Sequence, residues 1–120
     1  MSKNQVLSLS AEAELLAQRE AILQKAGYVV LSSTSEMEIR FEIQMGQCGI
    51  LMLCYTLHQS IHGDLAGIFG LNCPSSAIVF MMHPEMKKES RHAHVNILDS
   101  DLPQKLHLIK SAQNRHHKSA

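Results

Sequence analysis

The sequence predicts an α/β domain built on a doubly wound parallel sheet, with helices on both faces. Three observations carry this. Five short segments rich in aliphatic and β-branched residues recur along 120 residues, separated by stretches of helical spacing or polar turns. One of them, Gly49-Ile-Leu-Met-Leu-Cys54, is apolar throughout, as a central strand covered on both faces is. Gly27, Gly46 and Pro74 fall at the joints between segments.

Val6-Leu-Ser-Leu9 reads as the first strand. Ser10 follows as a helix N-cap, and Glu12 and Glu14 stand in the first turn, where the helix dipole favours negative charge. Leu15, Leu16, Ile22, Leu23 and Ala26 recur at helical spacing, and Gly27 stops that helix as a left-handed C-cap. Tyr28-Val-Val-Leu31 is rich in β-formers and is the second strand.

Glu36 to Met45 admits two readings. Met37, Ile39, Phe41, Ile43 and Met45 alternate with polar residues, a strand pattern. As a helix the segment splits into two stripes, Met37/Phe41/Met45 and Ile39/Ile43, on opposite faces. A crossover between parallel strands requires helix here, so helix is predicted. Ile39 and Ile43 then face the sheet, and the other stripe is left near solvent.

Gly49 to Cys54 is the third strand, Tyr55 to His62 a loop, and Asp64 to Leu71 a short helix through Leu65, Ile68 and Phe69. Ser76 to Met82 is the fourth strand. His83 to Ser90 is polar and holds at best a brief helix, so the fourth helix is shortened. His94 to Leu98 is the fifth strand. Asp101 caps a last helix with Pro103 in its first turn and Leu102, Leu106 and Ile109 on its buried side. The core spans about residues 5–112, and 113–120 form a basic, frayed tail.

The length is that of one domain, and 45% hydrophobic content fills one core. Eleven basic and eleven acidic residues balance, which argues against general nucleic-acid binding. No apolar run approaches the roughly 20 residues of a membrane span, and no secretory signal is visible. Cys48, Cys54 and Cys73 are odd in number and lack a C-x-x-C pair, a pattern of free thiols in a reducing cytoplasm.

The order and spacing of these elements resemble the bacterial response-regulator receiver domain, the CheY-like family. The resemblance is carried by the strand Val6–Leu9, by Ala26-Gly27-Tyr28 at the far end of the first helix, and by the buried strand ending at Cys54. It implies a flavodoxin-like (βα)5 fold with strand order 2-1-3-4-5. It also implies which positions would carry phosphoryl chemistry. The family's acidic pair falls on Ser10 and Ala11, and its phosphoacceptor aspartate on Cys54. Its hydroxyl falls on Met81 or Met82, and its lysine-proline on Asp99 and Ser100.

None of these residues keeps the chemistry. Acyl phosphate formation needs a carboxylate nucleophile, and magnesium needs hard oxygen ligands. A thiol is a poor magnesium ligand, methionine donates no hydrogen bond, and Asp99 would repel a phosphate. The resemblance therefore implies a pseudo-receiver with no catalytic residue, no metal and no cofactor.

Other constellations have plainer explanations. Cys54, at a strand end before a helix, is a reactive-thiol candidate with His58 as the local base; an apolar cysteine filling a pocket is the favoured reading. His92 with His94, and His116 with His117, are candidate metal ligands, but four ligands at recurring spacing are missing. Lys87, Lys88 and Arg91 read as a solvated face. Met37, Phe41 and Met45 form a candidate partner surface.

The expectation is thus a cytoplasmic, non-enzymatic, stand-alone signalling module of the two-component type. It would act on a protein partner or as a homodimer, without nucleic acid or membrane. The alternatives are a thiol- or metal-responsive sensor using Cys54 and the histidines, and a phosphorylatable regulator with an atypical site.

Overall fold

In the computed structural model, residues 4–47, 49–86 and 88–118 are described, with side chains described to residue 114. Five strands alternate with helices through most of the chain: β1 (Gln5–Leu9), α1 (Ala13–Lys25), β2 (Val29–Ser33), α2 (Glu36–Gln44), β3 (Ile50–Cys54), α3 (Gln59–Asn72), β4 (Ala77–Met82) and β5 (Val95–Leu98). A short 3-10 turn, Asp99–Asp101, then leads into α4 (Leu102–Lys118). The sheet is parallel, in the order β2-β1-β3-β4-β5. This is the predicted doubly wound, flavodoxin-like arrangement.

Alternation of side chains along each strand divides the core into two layers. Val6, Ile50, Met52, Val79, Met81 and Ile97 pack beneath α1 and α4, with Leu23 and Ile109. Leu7, Leu9, Leu51, Leu53, Ile78 and Phe80 pack beneath α2 and α3, with Ile39, Ile43, Leu65 and Phe69. Every residue of β3 and β4 is buried, which explains their unbroken apolar runs.

Gly27 has φ +96, the left-handed conformation that closes α1. At Gly49 an added Cβ would collide with the backbone carbonyl of Gln5, so only glycine lets β3 enter beside β1.

The ambiguous segment is a helix. Ser35 caps α2 by accepting from the Glu38 N–H at 3.2 Å, and Ile39 and Ile43 are fully buried. Packing on the sheet overrides the alternating pattern.

Four details differ from the sequence reading. The N-cap of α1 is Glu12 rather than Ser10, because Ser10 is turned to bond elsewhere. Helix α3 begins at Gln59, where a loop to His62 was predicted; the imidazole Nδ1 of His58 accepts the Ser60 N–H at 3.1 Å and caps it. Between β4 and β5 the described residues contain no helix at all, so the shortened fourth helix is reduced to a loop. The predicted frayed tail continues α4 as far as Lys118.

That loop lays Met86 and Ala93 against the α2/α3 layer. Beside it runs a groove of about 470 Å³, lined by Gly63, Gly67, Gly70 and Phe69 of α3 and by His92 and His94. Among the described residues no helix is long and apolar enough to cross a membrane.

Candidate functional site

In an open parallel sheet, chemistry gathers beyond the carboxyl ends of the strands. Here that edge collects Ser10 and Ala11 after β1, Cys54 closing β3, Met81 near the end of β4 and Asp99 after β5. The five predicted positions therefore share one end of the sheet. Cys54 pairs with Met81 in the β3–β4 register, and both are fully buried.

The two loops over β1 and β3 are joined by hydroxyl groups. Thr56 Oγ1 accepts the Ala11 N–H at 2.9 Å and lies 3.2 Å from Ser10 Oγ. Ser10 Oγ in turn accepts the Glu12 N–H at 3.1 Å. Thr56 was not foreseen from the sequence, because its role depends on a contact 45 residues away.

On the β5 side, Arg19 of α1 donates through Nε to Asp99 Oδ1 at 2.9 Å, and its Nη2 lies 2.9 Å from the same oxygen. The Arg19 side chain is 2% exposed and that of Asp99 21%. Nη1 and Nη2 are buried without a hydrogen-bond partner among the described residues, as is Ser8 Oγ. Arg19 was also missed. Its signal was present: it falls between Leu16 and Leu23, all three on the buried side of α1, a charge set into an apolar stripe.

Tyr55 stands over this edge, packed edge-to-face on His83 at 5.1 Å. Burial pushes its hydroxyl above the ordinary phenol value, and Cys54, Asp99 and Glu12 add to this against Arg19. The Tyr55 N–H donates to the Met81 carbonyl at 3.0 Å, holding the loop down on β4.

Cys54 is the free cysteine among the described residues, and it is fully buried. His58, the base expected from the sequence, is engaged in capping α3. His62 Nε2 donates instead to the Cys54 carbonyl at 2.9 Å and packs against Phe80 at 4.9 Å. Burial pulls the His62 imidazole below its ordinary pKa, and nearby His92 pulls the same way, while the bond to Cys54 opposes both. The expectation of three free thiols is corrected at Cys73, which is disulfide-bonded. Cys48 lies outside the described residues.

Among the described residues the histidines do not assemble a metal site. His94 precedes β5, and its Nδ1 accepts the Ile78 N–H at 2.8 Å. No group of three or more candidate ligands occurs among the described residues. The side chains of His116 and His117, and all of Lys87, lie outside them. Lys88 and Arg91 are exposed.

Magnesium, which the receiver resemblance implies, does not fit this edge. A hard dication needs several free oxygen ligands. Asp99 is engaged by Arg19, and the Ser10 and Thr56 hydroxyls are engaged with each other and with backbone N–H groups.

The apolar stripe that the sequence left near solvent is exposed. Met37 and Phe41 of α2 and Met45 at its C-cap are 77%, 57% and 64% exposed.

No protein-family model and no curated protein sequence matches the chain. Solved structures do. A CheY-like response regulator receiver domain protein from Methanospirillum hungatei superposes with a TM-score of 0.80 at 17% identity, covering 99% of this chain and 100% of that one. The beryllofluoride-activated receiver domain dimer of NtrC4 gives 0.77 at 16% identity, with 94% and 98% covered. The response regulator TrrA from Thermotoga maritima, in complex with magnesium and beryllofluoride, gives 0.73 at 16% identity, with 91% and 98% covered. The chain has the fold of the CheY-like response-regulator receiver domains.

Proposed function

We propose that this chain is a signalling module that uses the receiver frame without the phosphoryl switch, and that it works through contact with a protein partner. The observation that carries the reading is the state of the strand ends. The two loops that would flank a metal are joined directly by Ser10, Thr56 and the Ala11 amide. The residue closing β3 is a buried cysteine in place of a carboxylate. Asp99, where the family's lysine would stand, is neutralised by Arg19. Such an edge offers no nucleophile matched to phosphorus and no free ligand set for a hard cation. The module is accordingly non-enzymatic, and its output surface is permanently presented.

The test is incubation with acetyl phosphate and magnesium, followed by intact mass spectrometry. The expected result is an unchanged mass. A gain of one phosphoryl group, lost on substitution at this edge, would overturn the reading in favour of an atypical phosphorylatable regulator. The thiol-sensor alternative is checked in the same sample: Cys54 in the folded chain should resist a maleimide reagent that labels it fully in urea.

A further inference from the structure

Exposed large apolar side chains are few among the described residues: Val29, Met37, Phe41, Met45 and Leu71. Three of the five form one stripe: Met37 and Phe41 lie in the nine-residue helix α2, and Met45 is its C-cap. Steps of four residues keep Met37, Phe41 and Met45 on one face, opposite the buried pair Ile39 and Ile43. Nothing in the fold demands this. The sheet is already served by the two isoleucines, and polar residues at the three positions would leave the core intact. Exposed apolar side chains gathered on one helix face are a feature of contact surfaces, and methionine with phenylalanine makes this one deformable and apolar.

The charges beside the stripe specify what it meets. Helix α2 carries Glu36, Glu38 and Glu42 against Arg40. Arg40 pairs with Glu36 at 2.8 Å. Glu38 and Glu42 have no ion-pair partner among the described residues, and they lie on one flank of the stripe. The chain as a whole has a formal net charge of zero, so this acidity is local. A second copy packed antiparallel on the stripe would bring Glu38 and Glu42 against their own equivalents. A partner with cations beside its apolar face would satisfy them.

We infer that the Met37/Phe41/Met45 face docks an amphipathic helix of a partner protein that carries lysine or arginine along one side of its apolar stripe. The contact is helix against helix, with Phe41 at its centre and the two glutamates fixing the polar side. This inference rests on the reading of the chain as a partner-binding module and names the chemistry of the partner.

The probe is a pair of fluorescent model helices with the same leucine pattern, one with lysine and one with glutamate at every polar position. Fluorescence anisotropy is read with the full chain. The leucine–lysine helix should bind, and added salt should weaken it. Phe41→Asp should raise Kd at least tenfold, and Glu38→Lys with Glu42→Lys should raise it severalfold. Leu71→Asp, at an exposed apolar site elsewhere, should leave it unchanged. Circular dichroism melts should show all variants folded.

Equal binding by the Phe41→Asp variant, or equal binding of the leucine–glutamate helix, would overturn the assignment. So would no binding at all, or a dimer in sedimentation that Phe41→Asp dissolves, which would make the occupant a second copy. The two readings fail separately: phosphorylation by acetyl phosphate removes the switchless module, whereas loss of the peptide result with an unchanged mass removes only this surface.

Discussion

Replacing Asp99 by asparagine should cost far more stability than replacing its partner. Arg19 is 2% exposed and Asp99 is 21% exposed, so the two ends of the pair are not equally solvated. Asp99→Asn keeps the shape and strands a guanidinium whose Nη1 already lacks a hydrogen-bond partner among the described residues and whose Nη2 has Asp99 as its ion-pair partner. Removing one partner from a buried pair costs about 3–5 kcal/mol, a large share of the roughly 5–15 kcal/mol that holds a domain together. Arg19→Met fills much of the same volume with apolar atoms and leaves a carboxylate that reaches water, at about 1 kcal/mol. The double variant should then lie close to Arg19→Met alone, giving a coupling of about 3–5 kcal/mol, the whole cost of Asp99→Asn. Urea unfolding of the four proteins at pH 7 measures all three quantities. Additive costs, or an Arg19→Met variant less stable than Asp99→Asn, would refute the argument that the buried cation is the member that needs its partner.

Other outcomes follow from single contacts. Thr56→Val, close in shape, removes the acceptor of the Ala11 N–H and should lower stability by about 1–2 kcal/mol while speeding hydrogen exchange at that amide. Gly67→Ala and Gly70→Ala should each raise stability by about 0.5–1 kcal/mol in a thermal melt, since an added Cβ meets nothing within 4 Å. Gly49→Ala should unfold or severely weaken the chain, because its Cβ would meet the Gln5 carbonyl. His62 has a folded pKa below the ordinary 6.5, so the unfolded chain takes up its proton first as pH falls. The His62 contribution is therefore fully present above about 6.5 and is lost on acidification below it. Urea midpoints from pH 7.5 to 5 should fall, and His62→Asn should flatten the fall.

The sequence was most legible where burial imposes a rule on many residues at once. The unbroken apolar runs of β3 and β4 and the alternation of strands and helices were enough to reach a doubly wound parallel sheet; its strand order came from the resemblance to the receiver family. At α2 the local pattern pointed to a strand, and only the need to cross between parallel strands pointed to helix. The start of α3 was hidden because His58 caps through a ring nitrogen, an unusual residue for the task, and Gly63 interrupts the pattern beyond it. The candidate edge was legible by position and illegible by partnership. Ser10, Cys54, Met81 and Asp99 were placed by the resemblance to the receiver family. The bonds that define the edge join residues 45 and 80 positions apart, and no local spacing records them.

Reducing the β4–β5 crossover to a loop changes how the last strand is held. β5 is four residues long and pairs with β4 alone. On one side it has α4; on the other, where a crossover helix would weigh on the sheet, it has side chains of an irregular segment. Contacts of that kind open at low free-energy cost, independently of the rest. The ion pair at Asp99 then acts as a rivet at the carboxyl end of this strand, tying the final β-α unit to the first helix of the chain. Loosening it would free β5 and α4 together as the first cooperative unit to detach, while β1, β3 and β4 stay closed.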